Sequence, residues 1–376
     1  MAQISGTHRT LWLAAGMGGL AMVAWPAKDK KAEKEEQTQV LQLPKELPSV
    51  VVGETRRLSF YVTPLSAKGL LSQQVRDALK ALERQAGTDT VLEIRAFVAG
   101  SGDLRRVRDL VSETFTERRQ PLPAISLIQA GGLALTGAQV VLEAVTGGRK
   151  ELHPGGLAWL SAQVATSEDP LSPVSPLAEK SLAGLRQAAK AAGTEAGRVL
   201  RITCFVSALD GLNPTRQQVA AAYPRAAVNF VQTQREPLRA VSGCEAVAEL
   251  PEGGRGRLQL LNVEGLAPVP GESQIARVRA PRVVFTGGQV SFGYEDQDAR
   301  LAFERIRKEL ERAGVTPGDV AFARFYPLSQ KIADQVRRVR AAFFDAALPP
   351  AGSLLLFEGL PSLDAGFAVD VVAVKD

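Results

Sequence analysis

The stretch VLEIRAFVAGSGDLRRVRDLVSETF, residues 91–115, decides how this chain is read. Two others align with it without gaps: VLRITCFVSALDGLNPTRQQVAAAY at 199–223 and VAFARFYPLSQKIADQVRRVRAAFF at 320–344. Each opens with an alternating, strand-like run that closes on an aromatic: Phe97, Phe205 or Tyr326. A polar turn then leads into a second amphipathic stretch. Self-similarity at this spacing marks one unit repeated along the chain.

The flanks match as well. Upstream lie QQVRDALKALERQAG (73–87), SLAGLRQAAKAAG (181–193) and ARLAFERIRKELERAG (299–314), all helical in period. Leu71, Val75, Leu79 and Leu82 form one predicted apolar stripe; Leu301, Ile306, Leu310 and Ala313 form another. Arg76, Lys80, Lys308 and Arg312 take the opposite faces, and Gly87, Gly193 and Gly314 suit helix C-caps. The second helices carry Leu104, Val107, Val111 and Phe115 in one unit and Ile332, Val336, Val339 and Phe343 in another. Two short apolar strands follow each: AISLIQA and AQVVLEAV, AAVNFVQ and SGCEAVAEL, GSLLLFEG and GFAVDVVAV.

Each unit thus reads as hairpin, helix, strand, helix, strand, strand. The fold class is α+β, a mixed sheet with both helices on one face. The opposite face is still apolar and needs a cover. Three sheets facing one another would supply it, with sheets inside and helices outside. The predicted boundaries are 46–148, 149–252 and 253–376.

The chain has 376 residues, 45% hydrophobic and 23% charged, so three packed units have material for a core. A net charge of +5 is spread among acids, with no basic block interleaved with aromatics, and nucleic-acid binding is not expected. Two histidines and two cysteines are too few for a recognisable metal site, and no metal or cofactor is expected. Cys204 and Cys244 read first as buried thiols behaving as small apolar residues. A bridge between them is the alternative in an oxidising compartment. His153 stands in a connector beside Pro154 and reads as loop, with no nucleophile–His–acid constellation around it.

Residues 11–25, LWLAAGMGGLAMVAW, are short for a bilayer span and suit the core of an export signal. An uncleaved anchor flanked by Trp25 and the charged tract KDKKAEKEE is the alternative, which would tether the protein to a membrane. Residues 1–27 are read as signal or anchor and 28–45 as a charged linker. The mature protein is then expected in the periplasm or otherwise outside the cytoplasm.

Over roughly residues 50–376 these units resemble the RidA/YjgF family, related in fold to chorismate mutase. RVVFTGGQV, 282–290, resembles the family's strand ending in a Ser-Gly-Gln turn. WLSAQV, 159–164, keeps Ser161 and Gln163 of that turn, while YVTPLS in the first unit matches weakly. The family assembles as homotrimers with clefts between neighbouring subunits. The resemblance therefore implies a monomer acting as a pseudo-trimer, its three positions supplied by one chain.

The family's cleft holds an arginine of a Pro-Ala-Arg motif, thought to grip the carboxylate of an imine or enamine acid with its forked donors. The matching places here are Ile125, Arg225 and Gly352, so only Arg225 keeps the charge. A family glutamate in the closing strand is matched by Val141, Gly243 and Ala368; Glu143, Glu245 and Asp370 match a second, structural acid. The family's cysteine is matched by Ala227, and a tyrosine by Gln274. Arg225 is the candidate catalytic residue, or an exposed strand-end arginine. Ser161, Gln163, Gly287, Gly288 and Gln289 are candidate ligand-binding residues, or the parts of tight turns. Two functions follow. One is binding of a small carboxylate-bearing molecule at a cleft whose catalytic pattern is degraded. The other is hydrolytic deamination of imine or enamine acids with release of ammonia.

Overall fold

The computed structural model describes residues 44–100, 102–235 and 237–376. The expected signal or anchor at 1–27, and the linker except for Pro44 and Lys45, lie outside the described residues. Among the described residues no helix is long and apolar enough to cross a membrane.

The chain first lays down β1 (Val50–Glu54), β2 (Leu58–Val62), α1 (Leu71–Ala86), β3 (Thr90–Ala99), α2 (Leu104–Glu117), β4 (Ala124–Ala130), β5 (Gly132–Leu133) and β6 (Val140–Gly147). It continues with β7 (Leu157–Ser167), α3 (Val174–Ala191), β8 (Val199–Val206), α4 (Asn213–Ala222), β9 (Ala227–Gln232) and β10 (Ala240–Glu249). Two connector strands follow, β11 (Leu258–Leu261) and β12 (Ile275–Val278). Last come β13 (Arg282–Thr286), β14 (Gln289–Phe292), α5 (Asp296–Arg312), β15 (Val320–Pro327), α6 (Gln330–Phe343), β16 (Ala351–Leu354) and β17 (Ala365–Lys375).

These strands form three mixed sheets. The first runs β2-β6-β3-β4, the second contains β7-β10-β8-β9, and the third contains β13-β17-β15-β16. In each, the first three are antiparallel neighbours and the fourth joins in parallel. Each parallel pair is bridged by a helical crossover: α2, α4 or α6. A one-residue bulge falls at Leu92, Leu200 and Ala321, the second residue of each aligned stretch.

The bulge turns Leu92, Leu200 and Ala321 inward beside alternate residues of the same strands. All three join one cluster with Phe60, Trp159, Phe285 and Phe322, drawn from all three sheets. The outward residues meet helices. Ile94, Ala96 and Val98 pack on α1 and α2; Ile202, Cys204 and Val206 pack under α3; Ala323 and Phe325 pack under α5 and α6. Two-sided burial of these strands is why their sequences are nearly continuous in apolar residues. Asp103 caps α2 by accepting from Arg105 N and Arg106 N, and Gly87, Gly193 and Gly314 adopt the positive φ that ends a helix.

Three sequence expectations change. The opening arms are not closed hairpins, because they are shared between sheets. β1 pairs with β13 of the third sheet while β2 joins the first, and β12 pairs with β7 of the second while β13 joins the third. The arm before β7 completes the pattern, with Leu152 N and His153 N donating to Arg56 O at 2.7 and 3.0 Å. Leu301 is 54% exposed; the inward face of α5 is instead Ala299, Ala302, Phe303, Ile306 and Leu310, a cleaner 3.6-residue stripe. Cys204 and Cys244, expected as free thiols, are cross-strand partners on β8 and β10 and form a disulfide.

Candidate functional site

Where the three sheets meet, the inward residues make a charged layer between two apolar ones. Arg95 on β3 donates from Nε to Glu143 at 3.0 Å and from Nη2 to Glu245, on β10 of the second sheet, at 2.7 Å. Thr203 Oγ1 and Asn229 Nδ2 of the second sheet donate to Glu143, both at 2.8 Å. Arg324 on β15 donates to Glu93 of the first sheet at 2.7 Å and to Asp370 at 2.8 Å. Ser126 Oγ and Tyr326 OH also donate to Asp370, at 2.6 and 2.9 Å. All these side chains are buried.

Burial alone would raise the pKa of Glu143, but Arg95, Arg201 and the Asn229 hydrogen bond outweigh it and hold it at about 2. Burial would lower Arg95 and Arg324, yet the surrounding carboxylates raise both, so these remain ions. Phe97, Phe205, Tyr326 and Phe357 close the layer on one side, with centroids 5.4–6.2 Å apart. Glu143, Glu245 and Asp370 are therefore buried and bond from one sheet to the next.

Grooves lie outside this layer at each sheet junction. The first joins β4 to the β13–β14 turn and has a volume of about 630 Å³. Gly288 N donates to Ile125 O at 3.0 Å and Gly287 N to Ser49 O at 2.9 Å. A Cβ at Gly287 would stand 2.9 Å from Ile125 O, so the approach of the two backbones requires glycine. Gly287, Gly288 and Gln289 thus hold a turn and also line the groove. Around them stand Arg105 and Arg108 of α2 and Arg305 and Arg312 of α5, against the carboxylates of Glu46 and Glu309. Arg312 pairs with Glu309 at 2.7 Å, and Arg305 donates to Val290 O with its guanidinium over Phe292. Arg105 and Arg108 are exposed and make no ion pair among the described residues.

The second groove, about 200 Å³, lies between β16 and β7. Ala162, Val164, Val241 and Leu355 line it, and Glu272 and Arg340 lie at its wall, 3.2 Å apart and both buried. Burial raises Glu272 to about 7 despite Arg340, and burial also lowers Arg340 despite Glu272. Both partners thus shift against their charges: desolvation exceeds the pairing here. The third groove, between β9 and the end of β2, is lined by Thr63, Pro64, Asn229, Phe230 and Arg216, among others.

The other expected site residues fall elsewhere. Ser161 is buried and pins two sheets together: its Oγ donates to Ser273 O at 2.5 Å and accepts from Gly352 N at 2.8 Å. Gln163 donates to Ser161 O, accepts from Ser181 Oγ through its carbonyl, and packs beside Gly184 of α3. Arg225 is exposed and pairs with Glu249 at 3.3 Å, away from the residues lining these three grooves. Its place ahead of β9, beside Pro224, directs it to the rim of the second sheet. A side chain at Gly352 would begin 2.4 Å from Ala323 O, so that position accepts no arginine without backbone movement.

Sequence reasoning missed Arg105, Arg108, Arg305 and Arg312 because each sits on the polar face of a surface helix. Only the approach of α2 to α5 makes a site of them. Arg340 was hidden for a different reason, as a charge on the buried face of α6, and Glu272 lay in a connector with no periodicity.

No family model matches the chain, and no curated protein matches it. Several solved structures do. The Rid-family protein YyfB from Yersinia pestis is 22% identical over 32% of this chain and 100% of its own, with a TM-score of 0.30. Rv2704 from Mycobacterium tuberculosis, a YjgF/YER057c/UK114 family member, is 22% identical over 31% and 99%, with a TM-score of 0.24. Escherichia coli TdcF with bound serine is 21% identical over 32% and 100%, with a TM-score of 0.24.

Proposed function

We propose that this protein is a RidA/YjgF-type pseudo-trimer within one chain, and that it binds a small carboxylate-bearing molecule in the arginine-lined groove between the first and third sheets. The three-unit reading is supported by the shared strand order, the bulge at equivalent positions and the cyclic sharing of opening arms. Carboxylate binding is carried by one observation: four guanidinium groups and two carboxylates line the groove, and Arg105 and Arg108 make no ion pair among the described residues. A guanidinium fork matches a carboxylate with two parallel hydrogen bonds.

Binding without turnover is favoured because the positions matched to a catalytic pair hold Ile125 and Gly352 in place of arginine and Val141, Gly243 and Ala368 in place of the acid. Export is part of the proposal. It is supported by the apolar run at 11–25 and by the Cys204–Cys244 bridge, a bond that persists in oxidising compartments.

Calorimetric titration with pyruvate, a small carboxylate with no large apolar body, tests the reading. Saturable binding that weakens at least tenfold in Arg105→Gln/Arg108→Gln supports it. No binding, or equal binding by the variant, overturns it. Ammonia release from freshly generated imino acids would replace it with hydrolytic deamination.

A further inference from the structure

The groove between the second and third sheets differs in chemistry from the one just assigned. Three large apolar side chains on its lining are held in water: Val164 is 48% exposed, Leu238 76% and Val269 38%. An exposed apolar cluster beside a concavity marks a binding surface, because leaving it wet forgoes burial. Behind it the Glu272–Arg340 pair is 94% or more buried. Arg340 also donates to Pro270 O at 2.8 Å, while its Nε has no partner among the described residues.

The groups facing Glu272 are few. From α6 come Arg340 and Arg337; from β7, Ser161; and Arg239 stands at the rim ahead of β10. β16 contributes Leu354, Leu355 and Leu356, with no charge. Arg340 alone pairs with Glu272; Arg337 is paired with Asp334 of its own helix at 2.6 Å, and Arg239 is exposed.

We infer that this groove is a second ligand site, which takes an organic acid with an apolar body and takes up a proton on Glu272 as the acid binds Arg340. The apolar body covers Val164, Leu238 and Leu355. The ligand carboxylate replaces Glu272 as the counterion of Arg340. At Glu272, unlike at Glu143 beside Arg95, burial already outweighs the pairing with its guanidinium, so a second carboxylate on Arg340 makes Glu272 the neutral acid. The pKa of Glu272 near 7 places this exchange in the physiological range. The cation and acid come from α6 and from the connector before β12, and neither occupies a position matched to the carboxylate clamp of the resembled family. The site is independent of Arg105 and Arg108.

Hexanoate titrated into the full-length protein tests the proposal, with propionate and hexylamine as controls. Hexanoate should bind about tenfold more weakly at pH 8 than at pH 6, since ionised Glu272 then competes. At pH 8, calorimetry in buffers of different ionisation enthalpy should record uptake of about one proton per hexanoate bound. Glu272→Gln should bind with no proton uptake and no pH dependence. Leu238→Asp, at an exposed position, should weaken hexanoate at least fivefold with an unchanged melting temperature. Arg105→Gln/Arg108→Gln should leave hexanoate binding at this groove intact. Absence of hexanoate binding, proton uptake that persists in Glu272→Gln, or equal affinity for hexylamine would overturn the inference.

Discussion

Replacing Arg95 by Met removes the cation shared by Glu143 and Glu245 while keeping an apolar stem between Phe97 and Phe205, which lie 5.2 and 5.7 Å from the guanidinium carbon. Glu143 keeps Thr203, Asn229 and the nearby Arg201. Glu245 loses its one described side-chain partner, and its Oε2 has none already. Breaking a buried ion pair from one side costs about 3–5 kcal/mol, because the remaining charge is stranded. The loss should lie in that range at pH 7. It should shrink by up to about 1.4 kcal/mol per pH unit as acid allows Glu245 to bind a proton. Arg95→Met/Glu245→Gln should recover about half of it, since the stranded charge is then gone. Equilibrium urea unfolding of the wild type and both variants, at pH 7 and pH 5, measures all three quantities. A loss below about 1 kcal/mol at pH 7, or one independent of pH, would show that the charged layer is wet and that the sheets do not seal it.

Glu272 carries a pH signature of its own in the wild type. Its folded pKa of about 7 lies above the ordinary 4.5, so its contribution is full below about pH 4.5 and is lost as pH rises through 7. The span of about 2.5 units corresponds to roughly 3 kcal/mol, and Glu272→Gln should flatten that slope in urea unfolding. His153 is buried, with Nε2 bonded to Leu58 O, and burial lowers its pKa. Stability should therefore fall as pH drops below 6.5, and His153→Gln should remove that component from the pH profile of the melting temperature. Reducing Cys204–Cys244, which closes a loop of 40 residues, should cost about 3–4 kcal/mol on chain-entropy grounds. Reduction should lower the urea midpoint, and Cys204→Ala/Cys244→Ala should reproduce the shift in oxidising buffer.

Much of the fold is legible because local signals agree. The strand-to-aromatic runs ending at Phe97, Phe205 and Tyr326 place the central strand of each sheet, and Gly87, Gly193 and Gly314 mark helix ends. Sharing of the opening arms between sheets was not legible, since pairing partners hundreds of residues apart leave no trace in periodicity. The exposed position of Leu301 shows that one residue of phase error misplaces a helix face.

The site was read less well, for a physical reason. Arg225 was singled out by its place in a motif, but a guanidinium at a strand end finds water and Glu249 as readily as a ligand. Gly287, Gly288 and Gln289 do border a groove, where turn geometry and groove lining coincide. Arg105, Arg108 and Arg340 carry no local sign of their neighbours, because those neighbours come from a different sheet.

Trp159 lies at the centre of the shared core and is 1% exposed. Acrylamide quenching of its fluorescence, in full-length protein carrying Trp12→Phe and Trp25→Phe, asks whether three sheets cover one another in a single chain. A quenching constant near that of a fully buried indole, at concentrations where sedimentation shows one chain per particle, is the expected result. Quenching close to that of the urea-unfolded chain would mean that the sheets stand apart, and the grooves between them would not exist.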